Sequence, residues 1–290
     1  MKTSFILRAV KPLVLALFAS TSLLLGGENY SIEIVAEGLA SPTGIATIRS
    51  NFLVVSEIPE PSVRGGLNTV KLLHVASGRT RLISQGEPIP INIAIGKNYK
   101  VYWTCKTAGV ILQYDWRDGK SFFLPADPMN DPSGIAVDKF GDVLFTEILT
   151  PGVFGPDGGE NMVSVSDGET ISLISDFEPA PTDIAISEEG VSYWTCETAG
   201  VILRRSRAGV TSILLTGLDH PTGIALDRRG QDVSLVCFHR EDGKIIHMFV
   251  AERDGFSEEA IANLDQVLIS HDLETGGWMT DTHVCLLTGS

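Results

Sequence analysis

The chain has 290 residues, 43% hydrophobic and 20% charged, which excludes a disordered polypeptide and suits two ordinary domains or one large all-β domain. Its formal charge is −14, and its 22 Lys and Arg are scattered along the sequence, which excludes the basic patch that nucleic acid requires. The acidity admits cationic ligands and equally serves solubility.

In chain order the first element is an N-terminal leader. Lys2, Arg8 and Lys11 precede an apolar run from Leu13 to Leu25, broken only by Ser20, Thr21 and Ser22. A charged region followed by an apolar one predicts a secretory signal over residues 1–27, with an uncleaved signal anchor as the alternative. The run is short for a membrane span, and no other segment approaches one. The expectation is a secreted, extracellular protein (periplasmic in a bacterium) whose residues 28–290 form a single domain.

After a strand predicted at Tyr30 to Glu37, one phrase recurs. It reads Pro42-Thr43-Gly44-Ile45-Ala46, Pro132-Ser133-Gly134-Ile135-Ala136, Pro181-Thr182-Asp183-Ile184-Ala185 and Pro221-Thr222-Gly223-Ile224-Ala225, with a weaker copy at Pro90-Ile91-Asn92-Ile93-Ala94. Each copy leads into a short apolar strand, a turn and a second strand. Short strands repeating every 40–50 residues predict the blades of a β-propeller. The longest match runs from Tyr102-Trp103-Thr104-Cys105 to Leu112 and again from Tyr193-Trp194-Thr195-Cys196 to Leu203. The residue ending the second strand aligns as Glu57, Cys105, Glu147, Cys196, Cys237 and Cys285, with steps of 48, 42, 49, 41 and 48. Alternating steps make the unit a pair of blades of about 90 residues, present three times. Glu57 and Glu147 are each followed by a long loop ending in Gly-Gly and Asn68 or Asn161. The predicted fold is therefore all-β, a six-bladed propeller closed by the N-terminal strand, since an open edge invites aggregation.

These motifs resemble the six-bladed propellers that include NHL repeats, YWTD-type receptor propellers and SMP-30/gluconolactonase-like proteins, over residues 30–290. In NHL and YWTD repeats the second strand usually ends in Asp; here it ends in Glu or Cys. The group contains lactonases, lyases, strictosidine-synthase-like enzymes and pure binding modules, so the resemblance implies a fold and leaves the function open.

In a propeller the start of the inner strand and the end of the second strand share one mouth of the central channel, a favoured place for ligands. That puts Thr43, Ser133 and Thr222, the loop residues Asn68 and Asn161, and the carboxylates Glu57 and Glu147 around one basin as candidate ligand-binding or acid–base groups. The lactonase resemblance implies a divalent cation, Ca²⁺ or another, held by Glu57, Glu147, Asn92 and Asp183. Asn92 and Asp183 each fall one position past the family's slot, and no Glu stands before Gly44. The four cysteines share one repeat position. They read as packed free thiols, as a soft-metal ring, or as one disulfide, for which Cys196–Cys237 and Cys237–Cys285 are the candidates. The functional expectation is a binding or scaffolding propeller that engages a small molecule or protein at the channel mouth, with a metal-dependent hydrolase or lyase as the alternative.

Overall fold

The computed structural model describes residues 23–25, 28–49, 51–59, 66–123, 129–149, 161–218, 220–229, 232–239, 244–250, 272–274, 277–279 and 283–289. Most of the leader, and the loops 60–65 and 150–160 that follow Glu57 and Glu147, lie outside them.

The described strands run in chain order as follows. β1 (Leu23–Leu25) and β2 (Glu28–Glu37) form a hairpin. The first full sheet is β3 (Pro42–Arg49), β4 (Phe52–Glu57), β5 (Thr69–His74) and β6 (Arg79–Gln85). The second is β7 (Pro90–Ile95), β8 (Val101–Cys105), β9 (Val110–Asp115) and β10 (Lys120–Phe123). The third is β11 (Pro132–Val137), β12 (Val143–Glu147), β13 (Met162–Ser166) and β14 (Ile171–Asp176). The fourth is β15 (Pro181–Ile186), β16 (Ser192–Cys196), β17 (Val201–Arg205) and β18 (Thr211–Leu215). Then come β19 (Pro221–Arg229), β20 (Asp232–His239) and β21 (Lys244–Val250) in a fifth sheet, and β22 (Asp272–Glu274), β23 (Gly277–Met279) and β24 (His283–Gly289). Within sheets the order is sequential and antiparallel, and the last three strands join β2, whose Tyr30 lies opposite Gly289 and Glu37 opposite His283. The chain is thus all-β, built from antiparallel sheets of up to four or five strands, as a β-propeller is.

Each recurrent phrase makes the same local structure. The first strand bulges between its Pro and Ile, as at Pro42/Ile45, Pro90/Ile93 and Pro132/Ile135. A bulge frees a backbone N–H that must find a partner. The hydroxyl on the penultimate residue of the second strand supplies it: Gly44 N–H donates to Ser56 Oγ at 2.8 Å, Gly134 N–H to Thr146 Oγ1 at 2.8 Å, and Asn92 and Asp183 N–H to Thr104 and Thr195 at 3.2 Å. This is why Ser or Thr recurs immediately before the strand-terminal Glu or Cys.

The core lies between sheets, because alternate side chains of a strand face opposite neighbours. Trp103 packs towards the first sheet with Val54 and Val70, whereas Tyr102 packs towards the third with Ile135 and Phe145. Trp194 repeats the first role beside Leu144 and Val163, and Tyr193 packs with Ile224. Both tryptophans are fully buried, and burial of a side chain that size removes enough apolar area for about 4–6 kcal/mol of transfer free energy.

Two alignments from sequence are corrected by register. Cys237 lies opposite Ile224, and it is His239 that faces Pro221 as Glu57 faces Pro42 and Cys105 faces Pro90. The β19–β20 hairpin is longer than its counterparts, which moves the strand end by two residues. Cys285 lies within β24, opposite Ile34 and Trp278, and does not end the second strand of its sheet.

Candidate functional site

Four glutamates are buried among the described residues: Glu57, Glu87, Glu147 and Glu178, each 6% exposed or less. Their positions alternate from sheet to sheet. In the first and third sheets the carboxylate ends the second strand. In the second and fourth a cysteine ends that strand, and the carboxylate comes from the segment just before the first strand, in Glu87-Pro88-Ile89-Pro90 and Glu178-Pro179-Ala180-Pro181. Glu87 and Glu178 were not among the sequence candidates. The repeated Glu-Pro-x-Pro was the available signal.

Each carboxylate is occupied. Glu57 accepts from Ala40 N–H at 3.1 Å and from the Thr69 hydroxyl at 2.8 Å, and pairs with Lys71. Glu87 accepts from Ser84, from the Trp103 indole at 3.0 Å and from the Cys105 thiol at 3.8 Å. Glu178 accepts from Ser175 at 2.5 Å and from the Cys196 thiol at 3.6 Å. Glu147 differs: Asn130 N–H donates at 3.0 Å, Ser164 reaches it only at 3.5 Å, and Ser164 stands where the Glu57 sheet carries Lys71. Burial pushes the Glu147 carboxyl above the usual carboxylate range, against the lowering effect of those two donors.

The loop asparagines explain the two-sheet repeat. Asn68 Nδ2 donates to the Glu87 carbonyl at 3.0 Å, and the Asn68 backbone carbonyl accepts from Gly86 N–H at 2.9 Å and from Glu87 N–H at 3.4 Å. Asn161 holds Glu178 in the same way, at 3.1 Å through Nδ2 and 3.0 Å through its carbonyl. The asparagine of one sheet thereby positions the carboxylate of the next.

The hydroxyls expected at the mouth join neighbouring first strands. Thr43 donates to the Pro90 carbonyl at 2.7 Å, Ser133 to the Thr182 carbonyl at 2.9 Å and Thr182 to the Pro221 carbonyl at 3.1 Å. Thr222 holds the matching place on β19 and is half-buried.

One contact reaches beyond adjacent sheets. Asn92 Nδ2 on β7 donates to Asp183 Oδ1 on β15 at 2.7 Å, and Asp183 also accepts from Ile184 N–H at 2.8 Å and, through Oδ2, from Ile224 N–H at 3.0 Å. Burial is the largest influence on this carboxyl and pushes its pKa up to about 7, opposed by the three donors. Asn92 Oδ1 in turn accepts from Ile93 N–H at 2.8 Å. A hard cation needs several oxygens turned to one point. The oxygens of Asn92 and Asp183 are turned to protein N–H groups, and among the described residues no three His, Cys, Asp or Glu gather as a metal-holding group. The set named from the lactonase resemblance does not fit that cation.

Cys196 is a free, buried thiol, as is Cys105; the side chain of Cys237, its candidate disulfide partner, lies outside the described ones. Burial and the adjacent glutamate raise both thiols far above their ordinary range. Thiolate is the reactive form. We expect Cys105 and Cys196 to stay unmodified when the native protein is treated with iodoacetamide at pH 8 and mapped by mass spectrometry, and to react once it is unfolded.

No family model matches the chain, and no curated protein matches it in sequence. Solved structures do. A gluconolactonase from Xanthomonas campestris superposes with a TM-score of 0.65 at 15% identity, covering 92% of this chain and 91% of that one. The structure of a nidogen/laminin complex matches at 0.61 and 14% identity over 92% and 97%, and a streptogramin B lyase at 0.61 and 15% over 90% and 98%. At such identities the likeness establishes the fold, a β-propeller, and leaves the activity open.

Proposed function

We propose that the chain is a secreted, six-bladed β-propeller that binds a protein or small-molecule partner at the mouth where the recurrent phrases begin. The observation that carries this reading is the internal use of the polar groups there: Glu57, Glu87 and Glu178 accept from protein donors, and Thr43 and Ser133 link strands. Groups committed in this way hold a rigid rim. Six blades are supported by the six sheets found among the described residues, and closure by the pairing of β2 with β24. Secretion rests on the charged and apolar pattern of the leader. The neighbour described in a nidogen/laminin complex supports a protein partner, reached in this chain through the loops after Glu57 and Glu147.

A hydrolase or lyase is the second reading, favoured by the gluconolactonase and streptogramin B lyase likenesses and by one residue, Glu147, which has no cationic partner among the described residues. The test is metal content of the purified protein after chelator-free dialysis, together with turnover of a panel of lactones and esters by wild type and Glu147→Gln. The binding reading expects no stoichiometric metal and no turnover above buffer. Turnover by wild type that is lost in a folded Glu147→Gln protein overturns it.

A further inference from the structure

The two-sheet repeat gives Glu57 and Glu147 the same backbone place, at the end of the second strand: Glu57 lies opposite Thr69 and Glu147 opposite Met162. Residues directly opposite each other share one face of the sheet. Two residues further along the third strand the same face carries Lys71 in the first sheet and Ser164 in the third. At Glu57 both oxygens are used. Oε1 accepts from Ala40 N–H at 3.1 Å, and Oε2 accepts from the Thr69 hydroxyl at 2.8 Å and pairs with the Lys71 ammonium. At Glu147 half of that arrangement is present. Oε1 accepts from Asn130 N–H at 3.0 Å, but methionine replaces the threonine and serine the lysine. The donor left to Oε2 among the described residues is the Ser164 hydroxyl, at 3.5 Å.

Both carboxylates are buried, at 2% and 6% exposure. A buried carboxylate keeps its charge where a cation or several donors compensate it. The segments that flank β11 and β12, residues 124–131 and 148–160, contain no Lys or Arg. The ion pairs at described residues, Lys71–Glu57 and Lys100–Asp115, lie elsewhere. Ser164 is buried, whereas Asn130 is exposed and Met162 half-buried, so the way to Glu147 is from the mouth, past these two residues.

We propose that Glu147 Oε2 receives the primary ammonium of the ligand that binds this mouth, in the place that Lys71 Nζ fills at Glu57. Other cations suit the seat less well. A hard metal ion needs several oxygens turned to one point, and here the described groups supply Oε2 and the Ser164 hydroxyl. A guanidinium takes both oxygens of a carboxylate as a fork, and Oε1 is committed to Asn130. An ammonium is a compact charge that one carboxylate oxygen and a hydroxyl can hold, and the Met162 thioether offers a soft apolar surface to its alkyl stem. The formal charge of −14 favours the arrival of cations. This seat rests on the binding reading of the mouth and names the group recognised there.

The test is calorimetric titration of the full chain, at matched ionic strength, with the tripeptide acetyl-Gly-Lys-Gly-amide, with its norleucine analogue, which lacks the ammonium, and with n-butylammonium. We expect saturable one-to-one binding of the lysine peptide and at least tenfold weaker binding of the norleucine peptide. Glu147→Gln should lose at least tenfold in affinity for the lysine peptide. Ser164→Lys, which supplies the ammonium from within the chain, should lose as much. Glu169→Gln makes the same charge change at an exposed turn residue and should stay within twofold of wild type. A lysine peptide at least tenfold tighter than n-butylammonium identifies a protein as the source of the ammonium; equal affinities identify a free amine. Absence of saturable ammonium binding overturns the seat, as does wild-type affinity in Glu147→Gln. If Ser164→Lys does not fold, Glu147→Gln with a wild-type thermal midpoint decides alone. The binding reading is itself decided by metal content and by lactone and ester turnover, so failure of ammonium binding removes this seat and leaves that reading standing.

Discussion

Gly134→Ala is expected to lower the thermal midpoint by roughly 6–12 °C, the equivalent of about 3 kcal/mol or more in a domain of this size. A Cβ at Gly134 would lie 2.5 Å from the Cα of Asp183 and 2.8 Å from the next backbone nitrogen. Those are backbone atoms of β15, so no rotamer change relieves the contact, and β11 and β15 must separate. Gly44 stands in the same relation to β7, 2.5 Å from the Ile91 carbonyl and 2.9 Å from the Asn92 Cα, and Gly44→Ala should fall by a similar amount. The measurement is thermal unfolding by circular dichroism. Midpoints within 2 °C of wild type for both would mean that the first strands are not packed this closely, and the alternation of glycine with Asn or Asp would need another cause.

That alternation bears on how much of the molecule can be read from its residues. Pro-Thr-Gly-Ile-Ala announces a bulged first strand, because Gly permits the close approach and the following Ile-Ala enters the core. Trp103 and Trp194 are legible as core for the same reason. The period of two sheets is visible as alternating spacings, but its causes are contacts across sheets: Asn68 holding Glu87, Glu87 accepting from Trp103 and Cys105, and glycine on one strand facing Asn92 or Asp183 on the next. None of these follows from local propensity. Glu87 looks like a loop residue of a Pro-rich turn, and only the neighbouring sheet buries it. The misplacement of Cys237 has an equally local cause. Two residues added to a hairpin keep side chains on the same face, so the hydrophobic pattern is undisturbed while the strand end moves to His239.

Asp183 should make the protein progressively less stable as pH rises from about 4 to 7. Its carboxyl has a pKa of about 7 in the folded chain, against about 3.9 in the unfolded one. Between those values the folded state binds the proton that the unfolded state has released, so stability falls with rising pH. Below about 4 both states are protonated and the contribution is complete. Above about 7 both are ionised and it is lost, a difference on the order of a few kcal/mol. Other carboxylates titrate over part of this window, so the informative quantity is the difference between wild type and Asp183→Asn, which removes this titration and retains the shape. The asparagine carries its own constant cost, because one amide N–H must face a donor such as Ile224 N–H, about 1–3 kcal/mol. The advantage of wild type over the variant should therefore be largest near pH 4 and shrink towards pH 8, read as thermal midpoints at half-unit steps in buffers of matched ionic strength. A difference that stays constant across that range would mean that the three donors from Asn92, Ile184 and Ile224 outweigh burial and keep the carboxylate charged throughout. The contact between β7 and β15 would then be a fixed charged anchor, insensitive to the pH of the compartment in which the protein works.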